Sequence, residues 1–266
     1  MLRLLVSNQR GGAGKTTTVT TIGRILADRG YKVLIVDIDP QGSVASILGI
    51  RPELALYDFL IGDRIFEDCI VHVYKNMDVL CSNRKTVEAE ARLMATIGRE
   101  RVFQSVFQAV ERNYQVVLMD SSPTITLLST CATLYTRQIL VPVAMDVMSF
   151  QGTTANIQSA ESLSELFETN IRTVAILPVM VHGRRNLTDM VMKALEKVSE
   201  EFKIPLLAGI RTDTAVGKAA SQKKFLIDYD PGSKALEDYV VATDELAKIL
   251  SGQLDEEKLQ TIPSTE

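Results

Sequence analysis

Between an apolar run at Leu2 to Ser7 and a helical run beginning at Thr16, the chain reads Gln9-Arg10-Gly11-Gly12-Ala13-Gly14-Lys15-Thr16-Thr17. Glycines here let backbone N–H groups turn inward around phosphate oxygens, and the helix N-terminus just behind them adds partial positive charge. Lys15 is placed to reach the β- and γ-phosphates of a nucleotide, and the Thr16 hydroxyl to ligate Mg²⁺. Gly11, Gly12, Ala13, Gly14, Lys15, Thr16 and Thr17 are therefore the expected nucleotide-binding residues. The ordinary GxxxxGK[ST] spacing is not met, because the position five before Gly14 is Gln9.

Two acidic motifs accompany this loop. Asp37-Ile38-Asp39-Pro40-Gln41-Gly42 follows a second apolar run, and strand alternation puts Asp37 and Asp39 on one side. One can hold the Mg²⁺ shell while the other orients an attacking water. Val116 to Asp120 is a third apolar run ending in a carboxylate, which delivers Asp120 toward the cation held by Thr16. Thr16, Asp120 and one of the pair Asp37 and Asp39 are thus the expected metal ligands. The two histidines, His72 and His182, are far apart, and Cys69, Cys81 and Cys131 have no CxxC spacing. Neither a zinc site nor a Ser-His or Cys-His nucleophile has support, and the cysteines read as buried thiols.

The elements that must position these groups follow from periodicity. Short β-branched runs alternate with longer helical segments, the pattern of an α/β fold: a single domain whose mostly parallel, twisted sheet carries helices on both faces. Strands are predicted at Leu2 to Ser7, Val33 to Asp37, Asp78 to Cys81, Val116 to Asp120, Ile139 to Val143, Thr173 to Pro178 and Leu206 to Ala208. Helices are predicted near Thr16 to Asp28, Thr86 to Arg112, Thr153 to Glu168, Leu187 to Phe202 and Lys234 to Leu250, with Gly30 as a helix stop. Asp37 and Asp120 then lie at the carboxyl edge of the sheet, where ligands of open α/β folds bind. Residues 1–250 are read as one domain and 251–266 as a polar, frayed tail. No apolar run reaches the roughly 18 residues of a membrane span, and the start has no basic n-region or cleavage site, which predicts a soluble cytoplasmic protein.

The basic residue followed by GGxGK[ST]T resembles the deviant phosphate loop of the ParA/MinD branch of P-loop ATPases. The DxDPQG stretch at Asp37 resembles that family's first switch. Val116 to Pro123 resembles its second acidic strand, with Ser122 departing from the usual D-x-P-P. Further matches run from Pro142 to Gly152, from Gly183 to Leu187 and over Tyr229-Asp230-Pro231. The resemblance implies ATP and Mg²⁺ as cofactors, slow ATP hydrolysis to ADP and phosphate, and a homodimer with ATP sandwiched between subunits. Asp39, Lys15 and Arg10 are its implied catalytic residues, and Asp37 is the implied metal ligand of the acidic pair. In the family a lysine at the Arg10 position crosses to the partner's phosphates. Arg10 keeps the charge in a bulkier, planar fork, so either it acts in trans or another cation supplies the contact. The adenine contacts fall loosely near Pro178 and Arg211 to Asp213.

The net charge is −4, yet nine Lys/Arg face five acids between His182 and Lys224, so that window carries +4 and the remainder −8. By the resemblance, Arg184, Arg185, Arg211, Lys218, Lys223 and Lys224 are expected to bind DNA without sequence preference, making the protein nucleoid-associated. A small adaptor protein that stimulates hydrolysis and links a cargo is implied, the cargo being a plasmid, a chromosome region or a protein organelle. The alternative is a MinD-like membrane-associated positioning ATPase. Its basic amphipathic C-terminal helix has no counterpart here, since Asp255, Glu256, Glu257 and Glu266 outnumber Lys258, so no membrane partner is expected.

Overall fold

A computed structural model describes residues 1–183, 186–250 and 252. Its strands are β1 (Leu2–Val6), β2 (Val33–Asp37), β3 (Ile70–Tyr74), β4 (Met77–Leu80), β5 (Val116–Asp120), β6 (Gln138–Ala144) and β7 (Arg172–Val179). They form one sheet in the order β3-β4-β2-β5-β1-β6-β7, parallel throughout except for the β3–β4 pair. The helices are α1 (Lys15–Asp28), α2 (Ser43–Leu48), α3 (Leu56–Leu60), α4 (Phe66–Cys69), α5 (Thr86–Leu93), α6 (Val102–Val110), α7 (Leu127–Thr136), α8 (Val147–Leu166), α9 (Asn186–Phe202), α10 (Thr214–Ser221), α11 (Leu226–Tyr229) and α12 (Lys234–Ile249).

The central strands are apolar without alternation because helices cover both faces. Alternate side chains enter two cores. Leu4, Val6, Val33 and Ile35 pack with Val19, Ile22 and Ile25 of α1 and with Tyr239 and Leu246 of α12. Leu5, Leu34 and Val36 pack on the other face with Phe103, Phe107, Leu128, Leu134 and Leu195. Because β5 lies between β1 and β2, the carboxyl ends of these three strands stand side by side. Asp37 and Asp120 are register partners there, and so are Val6 and Asp120.

The fold class is as read from the sequence, as are the three central strands to within a residue. Gly30 stops α1 with φ +81°: its N–H reaches the Ala27 carbonyl at 3.0 Å and that of Tyr31 the Leu26 carbonyl at 3.1 Å. Three expectations need correction. Leu206 to Ala208 is not a strand but a single bridge from Leu206 to Ile176. The helix predicted from Thr86 to Arg112 is broken: α5 ends at Leu93, and Gly98 at φ +71° precedes the 3-10 turn that leads into α6. The edge strand β3 and helix α7 have no predicted counterpart. The predicted tail, 251–266, lies outside the described residues apart from residue 252. Among the described residues no helix is long and apolar enough to cross a membrane.

Candidate nucleotide site and its surroundings

The loop from Ser7 to Gly14 joins β1 to α1, and two glycines in it take a left-handed backbone: Gly12 at φ +78° and Gly14 at φ +81°. A Cβ on Gly14 would lie 3.2 Å from Val179 Cγ2, so the loop sits tightly against the end of β7. Lys15 is buried, and its ammonium donates to the carbonyls of Asn8 at 3.1 Å and Arg10 at 2.9 Å. Burial holds its pKa below the ordinary lysine value, with the charges of Asp120 and Asp39 opposing.

The carboxylates are arranged for different tasks. Thr16 Oγ1 donates to Asp120 Oδ2 at 2.6 Å, while Asp120 Oδ1 is buried without a hydrogen-bond partner. A cation bound beside Thr16 would satisfy that oxygen. Burial pushes the Asp120 carboxyl up to about 7, against the opposing pull of Thr16 and Lys15. Asp37, wholly buried, is also raised, by burial first and then by the Asp120 charge. Asp37 Oδ1 accepts the N–H of Asp39 at 2.9 Å and Oδ2 that of Val44 at 3.1 Å. It therefore fastens the switch loop and caps the start of α2, a role its sequence context did not reveal. Asp39 Oδ1 accepts the Gln41 N–H at 2.9 Å. The turn closes at Gly42, φ +63°, where a Cβ would lie 2.8 Å from the Ser82 carbonyl oxygen.

One hydroxyl with neighbouring carboxylates is a hard-oxygen set that suits Mg²⁺, an ion that keeps waters and substrate phosphates in its shell. Among the described residues no trio of His, Cys, Asp and Glu converges to cage an ion unaided. The donor set and the inward-facing glycine loop therefore fit a magnesium nucleotide. Arg10 is exposed and makes no ion pair among the described residues, and its carbonyl holds Lys15. Asn8, missed from sequence, buttresses the loop. Its amide donates to the carbonyls of Pro142 at 2.9 Å and Ser149 at 3.2 Å, and a Cβ at Gly152 would collide with Asn8 Oδ1. The spacing of Ser149 and Gly152 thus lets α8 approach the loop. All three cysteines are buried and free, with burial pushing Cys69 up to about 11 and Cys81 and Cys131 up to about 12.

The residues expected to contact DNA divide. Arg184 and Arg185 lie outside the described residues. Arg211 is not a free surface cation: Asp238 accepts from its Nε at 2.8 Å and from its Nη2 at 2.7 Å, and Glu237 accepts from Nη2 at 3.2 Å. Its neighbour Asp213 caps α10 and accepts from the Ser233 hydroxyl, and Ile210 N–H bonds the Pro178 carbonyl, so Pro178 and the stretch from Arg211 to Asp213 lie together beside β7. Lys218, Lys223 and Lys224 are exposed. Lys223 lies over Gly49, where a Cβ would be 2.7 Å from its Cδ. Lys223 and Lys224 border a cavity of about 450 Å³ shared with Arg51, a cation far outside the basic window.

A glycine loop between β1 and its helix, with carboxylates at the ends of the adjacent strand β5 and of β2 beyond it, defines a P-loop nucleotide-binding protein. A family model described as an AAA domain matches residues 2–173. The chain is 31% identical over 250 residues to the sporulation initiation inhibitor protein Soj of Bacillus subtilis, covering 92% of this chain and 97% of Soj. It is 30% identical over 248 residues to the cell division protein PomZ of Myxococcus xanthus, covering 92% and 77%. In fold it is similar to a McdA–ATP complex from Cyanothece, with a TM-score of 0.82 and 20% identity over 94% of this chain and 96% of that one. The chain belongs to the ParA/MinD family of P-loop ATPases.

Proposed function

We propose that this protein is an ATP-dependent dimerising switch that binds DNA without sequence preference and positions a cargo on it. A small adaptor resets it by stimulating hydrolysis. The observation that carries this reading is the constellation at the carboxyl edge: buried Lys15, the Thr16–Asp120 bond, the Asp37–Asp39 turn, and exposed Arg10 at the loop's start. Thr16, Asp120 and Asp37 would hold Mg²⁺, which would supply charge neutralisation on the phosphates. Lys15 is released from two loop carbonyls to take phosphate oxygens in their place, and the loop N–H groups complete the cradle. Asp39 orients water, and Arg10 reaches the partner subunit's site. The names of Soj and PomZ, a sporulation inhibitor and a cell division protein, support a role in cellular organisation.

The DNA footprint is assigned to Lys218, Lys223 and Lys224, extended by Arg51 and by the expected Arg184 and Arg185. Dimerisation makes the two copies contiguous, so affinity depends on the nucleotide. Nucleoid association follows from that binding. The test is binding of the full chain to a random-sequence duplex with ATP, with ADP and without nucleotide, at two salt concentrations. Salt-sensitive binding with ATP alone is expected. Absence of binding in every state, with hydrolysis intact, would remove DNA from the proposal.

A further inference from the structure

At the amino edge of the sheet, remote from the phosphate loop, a cavity of about 450 Å³ opens between β1, α6 and the junction of α7 with β6. Arginines reach it from three elements: Arg3 on β1, Arg101 at the head of α6, and Arg137 just past α7. Arg101, Gln104 and Gln108 recur at spacings of three and four, so they share a face of α6 beside that of Phe103 and Phe107, which fill the core.

The charges in this cavity do not balance. The one acid lining it, Glu111, is engaged twice: Arg3 Nη2 donates to Oε1 at 2.7 Å and the Tyr135 hydroxyl donates to Oε2 at 2.7 Å. Arg3 is further held with its guanidinium 4.9 Å from the Tyr135 ring centre, yet its Nε is buried without a partner. Arg101 and Arg137 are exposed and make no ion pair or side-chain hydrogen bond among the described residues. Three guanidinium groups and one carboxylate leave two positive charges around a concavity within the volume range of small-molecule sites. Like charges gathered this way repel each other unless an anion enters between them.

We infer that this cavity is a second binding site, separate from the nucleotide site, for a small molecule bearing two or more phosphate or carboxylate groups. Guanidinium forks match both groups in two-point fashion, and the Gln108 amide supplies a neutral donor beside them, while that of Gln104 is held by the Leu134 carbonyl at 3.0 Å. A concave wall from three elements favours a compact anion over a flat protein surface. The inference is independent of DNA binding.

The test uses the full chain carrying Lys15→Ala, which disables the phosphate loop, titrated by calorimetry with pyrophosphate and separately with citrate. Binding of one probe molecule per chain is expected, weakening with salt. Arg101→Gln with Arg137→Gln should weaken it at least about ten-fold, the loss expected on removing charged hydrogen-bonding groups. Lys75→Gln with Arg84→Gln, which changes net charge equally, should leave it unchanged. The tighter probe identifies phosphate or carboxylate as the recognised group. If Lys15→Ala does not fold, the wild-type chain is titrated with citrate instead, comparing the same two pairs. No binding of either probe, or equal affinity in both double variants, overturns the site.

Discussion

Replacing Lys223 and Lys224 together by glutamine removes charge from the proposed DNA surface without touching the nucleotide site. Lys218, Lys223 and Lys224 make no ion pair among the described residues, whereas Arg211 is engaged by Asp238 and Glu237. A dimer therefore presents six such lysines, from these three positions in each copy. At about −0.9 per neutralised phosphate, these six lysines contribute about −5 to the slope of log affinity against log salt. Between about 50 and about 200 mM salt, their share of the loss in affinity is about a thousand-fold. The double substitution removes four of the six, leaving the lysines a share of about −2 in the slope and about ten-fold in the loss over the same range. Fluorescence anisotropy of a labelled random-sequence duplex, with ATP and Mg²⁺ present, reads both slopes. A variant slope equal to that of the wild type would show that these lysines do not face phosphates.

Lys15→Ala should abolish ATP binding in calorimetry, because it deletes the ammonium that the loop carbonyls hold ready. Asp39→Ala should leave ATP-bound dimers that persist on gel filtration, and hydrolysis at the wild-type rate would remove Asp39 from the reaction. Arg10→Ala should weaken ATP-dependent dimerisation in sedimentation equilibrium while leaving nucleotide affinity of the monomer within a few-fold. Unchanged dimers would assign the trans contact elsewhere. Gly152→Ala drives a methyl group into the Asn8 amide and should cost about 1–3 kcal/mol, read from the urea midpoint. An unmoved midpoint would mean that Asn8 yields without loss.

The phosphate loop and the two carboxylate-bearing strands were legible because each is a local signal: an apolar run that ends on the functional residue. What the sequence concealed is non-local. Arg211 is matched by Asp238 on α12, and nothing around either residue announces the pair. Asn8 works through Pro142 and Ser149, well over a hundred residues away. Helix α7 escapes periodicity because residues from Cys131 to Thr136 are buried all round, leaving no polar stripe to mark the period. Strand β3 is a half-buried edge whose IVHVY lacks the uninterrupted apolar character of the centre. The break after Leu93 shows the opposite error, a helical pattern carried across a turn in which Gly98 takes a left-handed backbone.

One short helix joins the two ends of the proposed switch. Asp37 accepts the N–H of Val44 at the start of α2, and the same helix ends at Gly49 beneath Lys223. Spatial continuity alone does not establish coupling. Here, however, the links have little slack. Gly42 has no room for a Cβ against the Ser82 carbonyl, Gly49 has none against the Lys223 stem, and Asp37 holds two backbone N–H groups at once. A displacement of the Asp37–Asp39 turn is passed to the start of α2 through the hydrogen bond that Asp37 accepts from Val44. Lys223, resting on the far end of that helix, is then linked through α2 to what the carboxylates hold.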